Sequence, residues 1–339
     1  MVSSIDVAKK ANVSQSTVSR VLNSPHKVNP DTRKKVLSAI KELNYRPNNI
    51  ARSLVSKETM TISLISGPLH NQFFSESTTS IVNYANNKGF NVNVHFDDIG
   101  DNTAIYQNAF NQQVDGIILS SIFYNDEIYD ELTSLNIPFI MFNRKHEKEG
   151  NYVEIDNEKA GYIGTECLLQ HQHRDIIWIG GSLSISTFHD RHKGYENALK
   201  EYRIPIKKEN TVITDTTETD VKNKILSIIS RKERPTAIFA ATDSIAFYVM
   251  DLLGKKGIHI PNDISIIGVD NVRFSNHQAI QLSTISTINE QSISQIAIEE
   301  LIDLIHNKNT VSNVVRKTID VQVINRGTIQ NIKKQPLIK

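Results

Sequence analysis

The stretch "SIDVAKKANVSQSTVSRVLN", residues 4–23, decides how the front of this chain is read. Ile5, Val7, Ala8 and Ala11 fall on one apolar stripe at helical spacing. Asn12 and Val13 interrupt it. Ser14 then stands where a side-chain oxygen accepts from a backbone N–H two or three residues on and starts a new helix. Val18, Val21 and Leu22 supply that helix with a buried face. Two short helices around a tight turn are the helix-turn-helix pattern, whose second helix enters the DNA major groove with its N-terminal residues at the base edges. Those residues are Gln15, Ser16 and Thr17, with Arg20 a turn later. Gln suits adenine, and Arg suits guanine or phosphate. Working outward, "NPDTRKKVLSAIKELN" (29–44) predicts a third helix, with Asn29 as cap, Pro30 at the first position and Val36, Leu37, Ile40 and Leu43 as its apolar face.

Charge is distributed to match. Residues 1–60 hold eleven lysines and arginines against four acids, a net of +7. The whole chain carries +1, which leaves the remainder at −6. A basic head on an acidic body is the asymmetry expected where one end meets a polyanion. A hydrophobic content of 39% is enough for ordinary cores in two or three domains over 339 residues. A single cysteine, Cys167, excludes an intrachain disulfide framework and suits a reducing compartment. The start, "MVSSIDVAKK", has no apolar signal core, and no apolar run approaches the ~20 residues of a membrane span. These features predict a cytoplasmic protein that makes no membrane contact.

From residue 60 short apolar runs alternate with amphipathic segments. "TISLI" (61–65), "NVNVHF" (91–96), "GIILS" (116–120) and "PFIMF" (138–142) read as buried strands. Helices are expected near 75–88, 102–113 and 126–135. A second series follows: "IIWIG" (176–180), "TVIT" (211–214), "AIFAA" (237–241) and "SIIGV" (265–269), with helices near 157–171, 190–202, 218–231 and 243–256. The pattern predicts two doubly wound parallel sheets, with any ligand at the carboxyl ends of the strands.

"IDVAKKANVSQSTVSRVLN" together with "VNPDTRKKVLSAIKELNYRPNNIARSL" resembles the head of the LacI/GalR family of bacterial transcription regulators, almost without a gap over residues 4–54. The family usually has Gly where Asn12 stands, a change that Asn tolerates. More weakly, the resemblance runs on to about Gly327 through "VEIDNEKAGYIGTECLL", "HRDIIWIGG", "ISIIGVDNVRFS" and "LSTISTINEQSISQIAIEELIDLI". It implies an all-α DNA-binding head and an α/β two-lobed body like a periplasmic binding protein. The expected divisions are a head at 1–45 and a hinge at 46–59. A first lobe follows from 60–160 and 288–318, a second from 161–287 and 319–330, and a tail at 331–339.

The resemblance also assigns residues. Gln15, Ser16, Thr17, Arg20 and Asn23 would contact the operator. "RPNNIARSLVS" (46–56) resembles the hinge that becomes helical on DNA; alone it is below the ~12–15 residues of a stable isolated helix. Leu54 would be its wedge into the minor groove, flanked by Asn49, Ala51 and Arg52. In the cleft, Asn71, Phe73 and Phe74 follow the first strand, and Asn143 and Arg144 the fourth. Relatives that bind sugars usually have Asp-Arg at that second place, so Asn143 removes a charge. Arg191 of "RHKGY", Asp243 of "ATDSIA" and Asp270 of "GVDN" complete the expected effector contacts; Asp243 could instead serve as a helix N-cap. "VITDTTETD" (212–220) lacks the aromatic that purine- and pentose-binding relatives often carry, which predicts stacking on one side of the ligand only. His70, His189 and His192 lack metal-ligand spacing and are read as a polar rim.

The reading is therefore a repressor of a carbohydrate-utilisation operon. It is a homodimer on palindromic operator DNA, controlled by a small sugar or sugar phosphate in the inter-lobe cleft. The alternatives are control by a protein corepressor, as in catabolite-control relatives, or by a purine. No phosphate loop, Gly-x-Ser-x-Gly elbow or zinc motif supports an enzyme, and neither cofactor nor metal is expected. "TIQNIKKQPLIK" (328–339) shows no heptads, so no coiled-coil tetramer is expected.

Overall fold

The computed structural model describes residues 2–45, 58–96, 103–289, 291–307 and 314–332. The chain divides into two units between Thr59 and Met60.

The first unit holds helices α1 (Ser4–Ala11), α2 (Gln15–Asn23) and α3 (Pro30–Glu42). Ser3 and Asp6 open α1 with a reciprocal capping box, the Ser3 amide donating to the Asp6 carboxylate at 2.9 Å. Asn12 closes α1 in the left-handed region, at φ 54°. That conformation favours Gly and admits Asn because a short amide side chain costs little there. Ser14 and Asn29 cap the next two helices as their positions require. The core is small: Val7, Ala8, Ala11, Val18, Val21, Val36 and Ala39. Two expected apolar positions lie outside it, since Ile5 and Leu37 are each 49% exposed.

The second unit is built on two parallel sheets. The first runs in the order β11-β5-β4-β3-β1-β2 and the second β7-β6-β8-β9. β1 (Thr61–Ser66), β3 (Gly116–Leu119) and β4 (Phe139–Phe142) are buried on both faces because helices cover both sides. The same holds for β6 (Ile176–Gly180) and β8 (Ala237–Ala240). β2 (Asn91–Phe96) lies at one edge of the first sheet; β7 (Thr211–Ile213) and β9 (Ser265–Ile267) lie at the two edges of the second. In the first lobe the helices are α4 (Gln72–Asn87), α5 (Thr103–Phe110) and α6 (Ile128–Ser134). The second lobe has α7 (Asn157–Gln170), α8 (Ser186–Glu201), α9 (Glu218–Ile229) and α10 (Asp243–Lys255). Each alternating strand of the sequence reading is found in these sheets.

The pattern did not announce the crossover strands. β5 (Tyr152–Ile155) ends the first lobe's forward run. β10 (Thr284–Thr287) leads back through α11 (Ile293–His306) to β11 (Arg316–Ile319), which joins the first sheet beside β5. β12 (Val321–Ile324) then pairs antiparallel with β10. Only Asp320 separates β11 from β12.

Candidate functional site

The head presents one polar face. Gln15, Ser16 and Arg20 are exposed and Thr17 is half-buried. Ser16 and Arg20 stand four residues apart, so they share a side of α2. Gln15 donates its amide to Ser4 Oγ at 2.9 Å, which steadies it against α1. The hydroxyls of Ser14, Ser16 and Thr17 are linked at 2.7 and 2.8 Å. Asn23 ends α2. Asn49, Ala51, Arg52 and Leu54 lie outside the described residues.

A cavity of about 230 Å³ lies between the lobes of the body. Asn71, Phe73, Phe74, Asn143, Arg144, Arg191 and Asp270 all line it. Two glycines make room for its aromatic walls. A Cβ on Gly67, just past β1, would stand 2.4 Å from the Phe74 ring. A Cβ on Gly181, just past β6, would stand 2.4 Å from the Phe188 ring. Each lobe therefore uses its first strand-to-helix turn to lay a phenyl ring against bare backbone. Phe73 packs edge-on to Phe74 and stacks on Phe142, with centroids 5.5 and 5.8 Å apart. Phe123 adds a further ring.

Arg191 is held on α8 at 1% exposure. Its Nε donates to Asn157 Oδ1 at 2.9 Å, Nη1 to the Ala241 carbonyl at 2.5 Å and Nη2 to Asp270 Oδ1 at 3.1 Å. Asp270 adopts φ 116°, a strained value for a residue with a Cβ. Burial pushes its carboxyl up to about 6, although Arg191 pulls the other way. Arg144 Nη1 donates to the Asn143 carbonyl at 2.8 Å and across the lobes to Thr187 Oγ1 at 2.6 Å. Its guanidinium lies 5.8 Å from the centre of the Phe74 ring.

Further bonds cross between the lobes. Asn71 Oδ1 accepts from the Phe73 amide, which caps α4, and from Ser244 Oγ of the second lobe, both at 3.1 Å. Lys145 sits 2.9 Å from both Glu154 and Asp190. Burial alone would lower its pKa, but the two carboxylates together raise it. Tyr124 stacks on His189 with centroids 6.5 Å apart, and its amide donates to the Ser184 carbonyl at 3.0 Å.

Asp243 corrects an expectation. It does not line the cavity and is fully buried. Nor is it the N-cap of α10; that residue is Thr242. The Asp243 carboxylate accepts from Thr284 Oγ1 at 2.5 Å and from the Val272 amide at 3.0 Å. Val272 stands two residues past Asp270, so Asp243 fixes the loop that carries this cavity-lining acid. Burial raises its pKa well above the usual carboxylate range, and the nearby Asp270 charge adds to this. His192 is also not at the rim. It packs edge-on against Trp178 and bonds Thr211 Oγ1 at 3.0 Å.

Phe123, Ser120, Ser121, Ser182, Ile185, Thr187, Phe188, Thr214, Asp215 and Thr216 line the cavity without having been singled out from the sequence. Phe188 brings an aromatic from the second lobe, so rings stand on both sides of the space. Its signal was available: Phe188 precedes Arg191 by one helical turn, on the same side of α8. No group of His, Cys, Asp and Glu among the described residues could hold a metal. None of the helices described is long and apolar enough to cross a membrane.

Comparison with known proteins places this geometry. The profile of "Bacterial regulatory proteins, lacI family" matches residues 5–48, and "Periplasmic binding protein-like domain" matches residues 165–329. Catabolite control protein A of Priestia megaterium is 34% identical, over 83% of this chain and 86% of its own. The HTH-type transcriptional repressor PurR of Photorhabdus laumondii subsp. laumondii is 34% identical, over 89% of this chain and 90% of its own. The lac repressor dimer, solved with operator and the anti-inducer ONPF, superposes with a TM-score of 0.83 at 25% identity, covering 97% of this chain and 99% of that one. The chain belongs to the LacI family of bacterial regulatory proteins. It is a DNA-binding transcriptional repressor of that family, not an enzyme.

Proposed function

We propose that this repressor binds palindromic operator DNA as a homodimer and is controlled by a small, neutral sugar in the inter-lobe cavity. One observation carries the reading: phenyl rings from both lobes line one cavity together with serine and threonine residues and the Arg191–Asp270 pair. Rings take the apolar faces of a sugar, and charged partners make the stronger bonds to its hydroxyls. The charged lining residues are Arg144, Arg191, Asp215 and Asp270, two of each sign. Arg191 already donates to three protein acceptors. The balance favours a neutral ligand over a phosphorylated one. A volume of about 230 Å³ is below the ~300–1,000 Å³ of pockets for larger ligands, which favours a single ring.

A sugar that binds one inter-lobe angle better than another shifts the population toward it, and only by that difference in affinity. If that angle sets the spacing of the two heads, operator affinity follows. The test is a thermal-shift screen of monosaccharides, their phosphates and purines, followed by operator titration with each hit. The expected result is that a neutral monosaccharide raises the melting temperature and changes operator affinity, and that its phosphate binds at least tenfold more weakly. A purine or a sugar phosphate as the strongest ligand overturns the reading. The likeness to a catabolite control protein supports a second one: an added protein partner changes operator affinity while no small molecule does.

A further inference from the structure

Ser4 and Gln15 stand eleven residues apart, and each begins a helix, α1 and α2. Gln15 Nε2 donates to Ser4 Oγ at 2.9 Å. Both ends of this bond are anchored. Ser4 directly follows Ser3, whose amide and hydroxyl both donate to the Asp6 carboxylate, at 2.9 and 2.8 Å. Gln15 directly follows Ser14, whose hydroxyl accepts from the Thr17 amide at 3.2 Å and caps α2. Behind them α1 and α2 share the core of Val7, Ala8, Ala11, Val18 and Val21. Gln15 itself is exposed, and a free glutamine side chain has much rotamer freedom to lose. Here one of its N–H groups is committed before any DNA arrives.

That commitment limits what Gln15 can read. A glutamine amide has two N–H donors and one oxygen. With one N–H on Ser4, one N–H and Oε1 remain. In the major groove adenine offers one acceptor, N7, and one donor, its N6 amino group; guanine offers two acceptors, N7 and O6. The remaining edge of Gln15 matches adenine and is one donor short for guanine. Its neighbours on α2 are not restricted in this way. Ser16 shares the Ser14 hydroxyl with Thr17, at 2.7 and 2.8 Å, and a hydroxyl that rotates can donate or accept. Arg20 has donors only.

We infer that Ser4 is a positioning residue for operator recognition: it holds the Gln15 amide so that one base pair of each half-site is read as adenine and guanine is rejected there. The inference rests on the reading of Gln15 as a base contact. Ser4 acts through Gln15 and touches no base. In the free protein the bond contributes little to stability, because water replaces it at an exposed site. On the operator it decides which edge of the amide faces the base.

The test uses the full chain to select its operator from duplexes with randomised half-sites. Every single base-pair change in the selected site is then titrated at fixed salt. The pair whose preference Gln15→Ala flattens is the pair that Gln15 reads. The parent should prefer adenine to guanine there by about tenfold or more. Ser4→Ala should reduce that preference to about threefold or less, and Ser4→Thr, which keeps the hydroxyl, should restore it. Preferences at other pairs, the salt slope and the melting temperature should match the parent. The double variant Ser4→Ala, Gln15→Ala should lose no more than Gln15→Ala alone, since both act on one contact. A preference for guanine at that pair overturns the inference. So does an unchanged preference in Ser4→Ala, or a loss spread evenly over all pairs, which marks Ser4 as a structural or phosphate contact. If Gln15→Ala flattens no pair, the base-contact reading itself fails, and the inference with it.

Discussion

Arg20 in the head and Arg191 in the body are both read as ligand-contacting, yet their surroundings are opposite. Arg20 is exposed on a helix held by a seven-residue core. Arg191 is 1% exposed, with donors directed at an amide, a carbonyl and a carboxylate. The first needs only a helix in the right place, because its partner arrives from solution. The second must be neutralised and bonded before any ligand arrives, since an isolated charge in the interior is costly. Removing Arg20 is therefore expected to leave folding unchanged, whereas removing Arg191 is expected to weaken it.

The largest expected effect breaks the comparison at its buried end. Arg191→Ala leaves Asp270 inside without its partner and should cost about 3–5 kcal/mol of stability, read from denaturant unfolding. Asp270→Asn, milder in charge and volume, should remove the effector response while operator titration stays unchanged. At the exposed end, Arg20→Ala should weaken operator binding by about 1–3 kcal/mol at fixed salt if the residue reads a base, with the melting temperature unmoved. If it contacts phosphate only, all sequences should lose equally and the salt slope should drop by about one.

Two smaller effects are in pH. Below about 6 the Asp270 carboxyl takes a proton, so effector affinity should fall through that range. The second concerns His173, whose ring bonds Thr236 Oγ1 at 3.0 Å and the Gln330 carbonyl at 3.1 Å. Burial lowers its pKa from 6.5 to about 4. The unfolded chain then binds the extra proton between those values. Stability should fall as pH drops from 6.5 toward 4, and His173→Asn should flatten that slope in thermal melts.

The head was legible because its determinants are local. Ser14 caps the helix that carries Gln15, Ser16 and Arg20, all within seven residues. β1, β3, β4, β6 and β8 were legible because strands buried on both faces leave unbroken apolar runs. β11 was not, as three of its four residues are exposed and no apolar run marks it. Most predicted cavity residues sit just past a strand, where the parallel-sheet rule puts them. Asp243 also sits just past a strand, but Thr284 and the Val272 amide, 41 and 29 residues away, turn its carboxylate inward. Phe188 was legible only through Arg191, which follows it by one turn on the same side of α8. No periodicity encodes a direction that distant residues decide.

Asp320 has a mechanical consequence. It is the single residue between β11 of one sheet and β12, which pairs with β10. A trans peptide advances the chain 3.8 Å per residue, so the ends of those strands stay within about 8 Å of each other in every state. The lobes cannot slide apart there; they can only turn. Such a pivot has almost no stroke at its own edge and its full stroke at the far one. Tyr124 and His189 form a contact across the lobes. Probes on those two residues would report a turn of one lobe against the other.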